Sequence, residues 1–336
     1  MPQEQLALFD DADGVDPAPA DPRAGRLAEA LSPRIRLGTS SWSFPGWTGL
    51  IYAPRNGRQP TEKDLARAGL PAYAAHPLLR TVSLDRTFYA PLSRETFAAY
   101  AAQVPAGFRF VVKAPAAVTD PVIRRPGSGE PARDNPSFLD AAAADVAFVR
   151  PAQEGLGAAA GPLVFQFPPL GRRLLADVPR LAARIAGFLA ALPRGPVYAV
   201  EVRDPELVGA AFAAAVRGAG GVPCLAVHAR MPPVDEQADA FGLATATGGL
   251  PVVARWNLHA GKIYEQAMAD YFPFDRLVDE DPESRLALAR LVRRAAAADR
   301  DAYVTINNKA EGSGPLSVRR LAEAIVEPVA AGPPPW

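Results

Sequence analysis

Glu201 and Arg203 stand two residues apart in VYAVEVRDPEL, so in an extended strand both side chains leave the same face. That pairing makes Glu201 the first candidate general acid or base, with Arg203 beside it to hold negative charge. Lys113 ends the run FRFVVK, and Arg255 lies near the end of PVVARWN. Either cation near Glu201 would keep its carboxyl ionised. Lys113 itself suits an electrophile, a phosphate partner or, if desolvated, a Schiff-base nucleophile. Asp85 closes RTVSLD and offers a second carboxylate. Asn307, Asn308 and Lys309 follow AYVTI, and the glycines of NKAEGSGP could present backbone amides to an anion at a helix entry near Pro315. Gln166, His228 and Asn257 end three further runs as substrate-binding candidates. Trp42, with Phe44, Trp47 and Tyr89, could form a flat stacking wall. The segment after Lys113 carries Arg124, Arg125 and Arg133 and could serve as a basic lid. Each has a plainer alternative: an internal salt bridge for Glu201, a helix-entry turn for NKAEGSGP, core packing for the aromatics and a solvated loop for the arginines.

These residues sit where short β-branched or aromatic runs stop. The runs are IRLGTS (35–40), RTVSLD (80–85), FRFVVK (108–113), PLVFQF (162–167), VYAVEV (197–202), VPCLAVH (222–228), PVVARW (251–256) and AYVTIN (302–307). Helical stretches such as SRETFAAYAAQV and DPESRLALARLVRRAAAADR lie between most of them. Eight β-then-α units in about 300 residues predict an α/β fold, a single TIM-like (β/α)8 barrel whose active-site face is built from the carboxyl ends of its strands. An open doubly wound sheet competes, but GTSSWSFPGW after the first run is not a G-x-G-x-x-G turn. Lysine and asparagine are scarce, and three of the five asparagines fall on the predicted rim.

The chain has 36 basic and 36 acidic residues, which disfavours a non-specific polyanion binder and requires any anion site to be a local patch. Cys224 is the one cysteine, so no intramolecular disulfide and no Cys-rich zinc site can form, and a reducing compartment is expected. Only His76, His228 and His259 are histidines, which disfavours a multi-zinc hydrolase; magnesium on Asp85 or Glu201 stays open. No H-E-x-x-H, P-loop or G-x-S-x-G is present and no cofactor is named by the sequence. No apolar run approaches a membrane span, and a cytoplasmic location is expected.

The segments IRLGTSSWSFPGW, the TFY of SLDRTFYAPLS, FRFVVKAPAAVTD, LVFQFPP, VYAVEVRDPEL and YVTINNKAEGSGPLSVRRL together resemble the YecE-like proteins grouped as domain of unknown function family 72. They run in order over about residues 34 to 328. The resemblance implies a TIM-barrel-like fold and no established activity. Where family members often carry Glu and Asn ahead of TFY, this chain has Ser83 and Asp85. RWNLHAG matches the family's Arg-x-His-Gly loosely, so Arg255 carries over and His259 carries over poorly.

Residues up to 33 are acidic and rich in Pro and Ala, and read as a disordered arm ahead of a barrel domain at 34–330. Within the arm, QLALF looks like the pentapeptide that docks bacterial proteins on the sliding clamp: Gln5 for hydrogen bonds, Leu6 with Leu8 and Phe9 for an apolar pocket. The expected function is therefore an enzyme of hydrolase or lyase type acting on a phosphorylated or nucleic-acid-derived substrate, linked through the arm to DNA replication or repair. One alternative is a non-catalytic ligand- or nucleic-acid-binding protein tethered to the clamp. Another is a carbohydrate-active enzyme pairing Glu201 with Asp85 or Glu311.

Overall fold

The computed structural model describes residues 14–19, 21–55, 57–125, 127–243 and 249–327. Its frame is a set of nine parallel strands: β1 (Ile35–Thr39), β2 (Thr81–Leu84), β3 (Arg109–Lys113), β6 (Ala160–Gln166), β7 (Tyr198–Glu201), β8 (Gly221–Pro223), β9 (Leu225–Val227), β10 (Val252–Trp256) and β11 (Ala302–Ile306). Between β3 and β6 lies a separate antiparallel pair, β4 (Val122–Arg124) and β5 (Pro131–Asp134). All eight predicted strands are present, the sixth broken at Cys224 into β8 and β9. The first half pairs with β7 and the second with β10, so one interrupted strand brings the two ends of the sheet together and nearly closes a barrel. Strands this short and this apolar are stable here because both faces are covered, as parallel strands require.

Alternation along each strand sorts the side chains. Val111, Val164, Ala199, Val222, Cys224, Val253 and Tyr303 form an apolar cluster inside the barrel. Their neighbours Val112, Phe165, Val200, Ala254 and Val304 belong to the larger core between strands and helices. Two residues beyond the inner cluster, on the same parity, come Lys113, Gln166, Glu201, Arg255 and Thr305. Gly38 of β1 is inward too, and a Cβ there would lie 1.8 Å from the Thr81 carbonyl oxygen, so glycine permits the close approach of β1 and β2.

Residues 22–31, assigned to the disordered arm by composition, are instead ordered and packed on the barrel. Residues 22–30 form a helix capped by Asp21, whose carboxylate accepts from the Arg23 amide at 2.8 Å. Ala24, Leu27 and Ala28 recur at helical spacing and are buried, and Leu31 follows them into the core. Arg23 to Glu323 (3.2 Å) and Arg319 to Asp21 (2.8 Å) tie this helix to the one at Gly314–Val326. Ahead of it, Ala18 donates to the Ile51 carbonyl at 2.8 Å. The apolar stripe supplies enough burial to dock a segment that composition alone assigns to disorder. QLALF, residues 5–9, lies outside the described residues.

Candidate functional site

The carboxyl ends of the strands enclose an open cleft of about 470 Å³. Its walls include Asp85, Lys113, Gln166, Arg203, His228, Arg255, Asn257, Asn307 and Lys309, all candidates from the sequence. Tyr89, Pro168, Pro169, Arg230, Leu258 and Tyr264 complete it. Of these, Arg230 comes from the loop after β9 and Tyr264 from the start of the helix Tyr264–Tyr271, positions that no strand periodicity marks, whereas Pro168 and Pro169 stand in the FQFPP segment directly after β6.

Glu201 is absent from that wall. It is fully buried under the floor, and its two oxygens are occupied: Oε1 pairs with Arg203 and accepts from Asn257 Nδ2 at 3.2 Å, while Oε2 accepts from Arg255 Nη1 at 2.7 Å. Arg255 uses its other nitrogen on both oxygens of Asp85, at 2.7 and 2.8 Å, and Ser83 Oγ donates to Asp85 at 2.7 Å. Burial works to raise the Glu201 carboxyl, but Arg203 and then Arg255 overcome it and hold the group below its ordinary value. Burial likewise opposes the charge on Arg255, and Asp85 and Glu201 more than restore it. The expectation that Glu201 acts directly in acid/base chemistry is therefore corrected. An anion already saturated by three donors and closed off from the cleft is a positioning residue, which sets Arg203, Arg255 and Asn257.

Removing Glu201 from the wall leaves the cleft cationic. Lys113, Arg203, Arg230, Arg255 and Lys309 face it, against the single carboxylate of Asp85. Lys113 Nζ lies 3.7 Å from the centroid of the Phe88 ring, and burial lowers its pKa to about 8 against the pull of Asp85. Lys309 Nζ lies 4.5 Å from the Tyr264 ring centroid and is also lowered by burial. His228 is pushed down to about 4, first by burial and then by Arg203, so it is neutral at pH 7. Arg203 Nη1 is buried without a hydrogen-bond partner, a donor at the cleft edge left for something else to meet.

Further expectations are corrected. Trp42 is core: its Nε1 donates to the Leu65 carbonyl at 3.0 Å and its ring packs edge-on against Tyr100. Asn308 faces the helix layer, where its Oδ1 accepts from Trp47 Nε1 at 3.2 Å and from the Gly314 amide at 2.8 Å. The amides of NKAEGSGP are consumed in the same way, since Lys309 N donates to Asn307 Oδ1 and Gly312 N to the Asn308 carbonyl, so this loop is a helix entry. In the β4–β5 hairpin, Arg124 pairs with Asp120 at 2.7 Å and Arg125 with Glu130 at 3.3 Å, and neither lines the cleft. Glu311 is held elsewhere by Arg285.

No group of three or more His, Cys, Asp and Glu side chains converges among the described residues. Asp85 and Glu201, either of which was a candidate magnesium ligand, share the guanidinium of Arg255. Also among the described residues, no helix is long and apolar enough to cross a membrane.

A nearly closed ring of parallel strands, with helices outside and a polar cleft over the strand ends, defines the chain as a TIM-barrel-like protein. Within that class the family model described as protein of unknown function DUF72 matches residues 36–336, and the chain belongs to that family. A DUF72 family protein from Enterococcus faecalis superposes with a TM-score of 0.57 at 16% identity, covering 90% of this chain and 99% of the other. Another from Thermotoga maritima gives 0.54 at 18% identity, covering 87% and 99%. Both are likenesses of fold. No curated protein matches the chain.

Proposed function

We propose that the barrel is an enzyme acting on a phosphorylated or nucleic-acid-derived anion, a hydrolase or lyase in which Lys113 and Asp85 face the reacting atoms. The observation that carries this reading is the convergence of Lys113, Arg203, Arg230, Arg255 and Lys309 on one cleft in a chain without net charge. Binding is tested by thermal shift with inorganic phosphate, pyrophosphate and nucleotides, wild type against Arg230→Gln and Lys309→Gln. Stabilisation of wild type that weakens in both variants supports it, and no stabilisation by any anion refutes it. Phosphatase, nuclease and lyase assays, with Lys113→Ala as the control, then test turnover.

A second reading, a non-catalytic anion-binding protein, is favoured by the occupation of both Asp85 and Glu201 by Arg255, which leaves no free carboxylate base in the cleft. Binding without turnover in any class decides for it. Sugar cleavage by paired carboxylates has little support, because neither Glu201 nor Glu311 reaches the cleft. The clamp partner for Gln5, Leu6, Leu8 and Phe9 remains part of the proposal. A peptide of residues 1–14 should bind a bacterial clamp at micromolar strength, about 8 kcal/mol. Changing Leu8 and Phe9 to Ala should abolish it, and no binding at high micromolar concentration removes that partner.

A further inference from the structure

Resting on the anionic-substrate reading, we infer that the cleft takes a small phosphorylated aldehyde or ketone and that Lys113 forms an imine with its carbonyl carbon. The lysines of this chain keep different company. Lys262 is held by Asp270 at 2.7 Å and Asp279 at 3.1 Å, the ordinary state of a lysine beside carboxylates. Lys113 also has carboxylates near it, yet forms no ion pair and no hydrogen bond among the described residues. Arg255 has taken both oxygens of Asp85, and Arg203 and Arg255 have taken those of Glu201. Both carboxylates are thus already engaged by guanidiniums, and the repulsion of Arg255 and Arg203 works against the pull of Asp85 and Glu201 on Lys113. What the amine meets instead is the face of Phe88 at 3.7 Å. A face that carries no acceptor leaves the nitrogen lone pair unoccupied when the proton departs, and its quadrupole stabilises a positive iminium afterwards.

The rest of the cleft fits the other end of such a substrate. Arg203 carries an unpartnered buried donor, and Arg230 and Lys309 add charge without blocking Lys113. A cleft of about 470 Å³ holds a molecule of a few carbons with one phosphate. The step balances without an oxidant. The neutral amine adds to the carbonyl carbon as the C=O π pair moves to oxygen, and the amine proton passes to that oxygen. A further proton from water lets the carbinolamine lose H2O, giving C=N with Nζ protonated. The imine then withdraws electrons from the adjacent carbon, which is the chemistry of a lyase.

The test treats the full chain at pH 7 with dihydroxyacetone phosphate or pyridoxal phosphate, reduces with borohydride, and maps the four lysines by peptide mass. An amine at about 8 has a neutral fraction at pH 7 more than about a hundredfold above that of an ordinary lysine. The adduct is therefore expected on Lys113, at least about tenfold over Lys63 and Lys262 after allowance for restricted access. Excess inorganic phosphate should suppress it, and Lys113→Arg should lose it while keeping the native circular dichroism. Label spread evenly over the lysines, concentrated on Lys309, or absent while phosphate still stabilises the protein overturns the imine and leaves the anion site standing. Absence of both label and phosphate stabilisation overturns the anionic-substrate reading and this inference with it.

Discussion

Two fully buried carboxylates among the described residues, Glu201 and Glu311, pair with arginine and are used for opposite ends. Glu311 pairs with Arg285 and accepts from the Asp281 amide at 2.8 Å, while its own carbonyl accepts from Val278 N at 2.8 Å. Asp281 caps the helix at Pro282–Ala297. These three partners of Glu311 all belong to the segment 278–285, and the pair staples that segment to the turn after β11. Glu201 instead gathers side chains from different strands, Arg203 just past β7 and Arg255 and Asn257 at the end of β10, and through Arg255 reaches Asp85 after β2. Its partners have a second surface, turned to the cleft. A buried ion pair contributes little net stability by itself, so its arrangement is what distinguishes a staple from a hub.

Breaking the hub should have the largest effect. Glu201→Gln leaves Arg203 and Arg255 with one carboxylate between them, and should cost about 4 kcal/mol in urea denaturation. Phosphate should return more stability to this variant than it adds to wild type, because it restores a negative charge to the same guanidiniums. A loss under about 1 kcal/mol, or a phosphate increment equal to that of wild type, contradicts the hub. Glu311→Gln deprives a single arginine and one amide, for about 2 to 3 kcal/mol. Here the phosphate increment should match wild type, and a larger one would show that the two clusters are coupled.

The same contrast marks how far the sequence could be read. Strand periodicity and rim position located Asp85, Lys113, Arg203, Arg255 and Asn307, since parity decides which face a residue leaves. Parity also condemns Asn308, one step from Asn307 and so turned to the helices. It says nothing of depth: Glu201 and Lys113 are both inward and both end a strand, yet one lies under the floor and the other in the cleft. Depth depends on how the strands are staggered around the barrel, which no local pattern encodes. Arg230, in a loop, and Tyr264, at the start of the helix Tyr264–Tyr271, were illegible for a related reason, because strand parity places neither. The docked helix at 22–30 was legible in its stripe of Ala24, Leu27, Ala28 and Leu31, and was hidden by the Pro- and Asp-rich residues before it.

Lys113 is the cation whose neighbouring carboxylates the hub has already engaged. Its pKa of about 8 in the folded chain lies below the ordinary lysine value. Below pH 8 both states are protonated and the folded protein bears the full cost of the buried charge. Between about 8 and 10.5 the folded state sheds its proton first, so the wild type recovers stability as pH rises. Lys113→Met should therefore be more stable than wild type by about 2 kcal/mol at pH 7, with the gain shrinking across that window. Equal stability at pH 7, or a difference independent of pH, would mean that Lys113 is compensated after all.

The smallest effect expected is a shift in one histidine and not in another. Burial holds both His76 and His228 near 4, but the next influence differs: Arg203 pushes His228 further down, while Asp21 pulls His76 up. Since the unfolded chain takes up these protons first as pH falls from about 6.5 to 4, both residues make the fold less stable in acid. They part company when an anion occupies the cleft. Phosphate beside Arg203 offsets the guanidinium field on His228 and should raise its pKa by roughly one unit, while His76, which lines no part of that cleft, should not move. With three histidines in the chain, proton NMR titration in the presence and absence of phosphate resolves each imidazole. Movement of both would mean that phosphate acts through the whole fold, and movement of neither would place the bound anion away from Arg203 and from the hub that Glu201 organises.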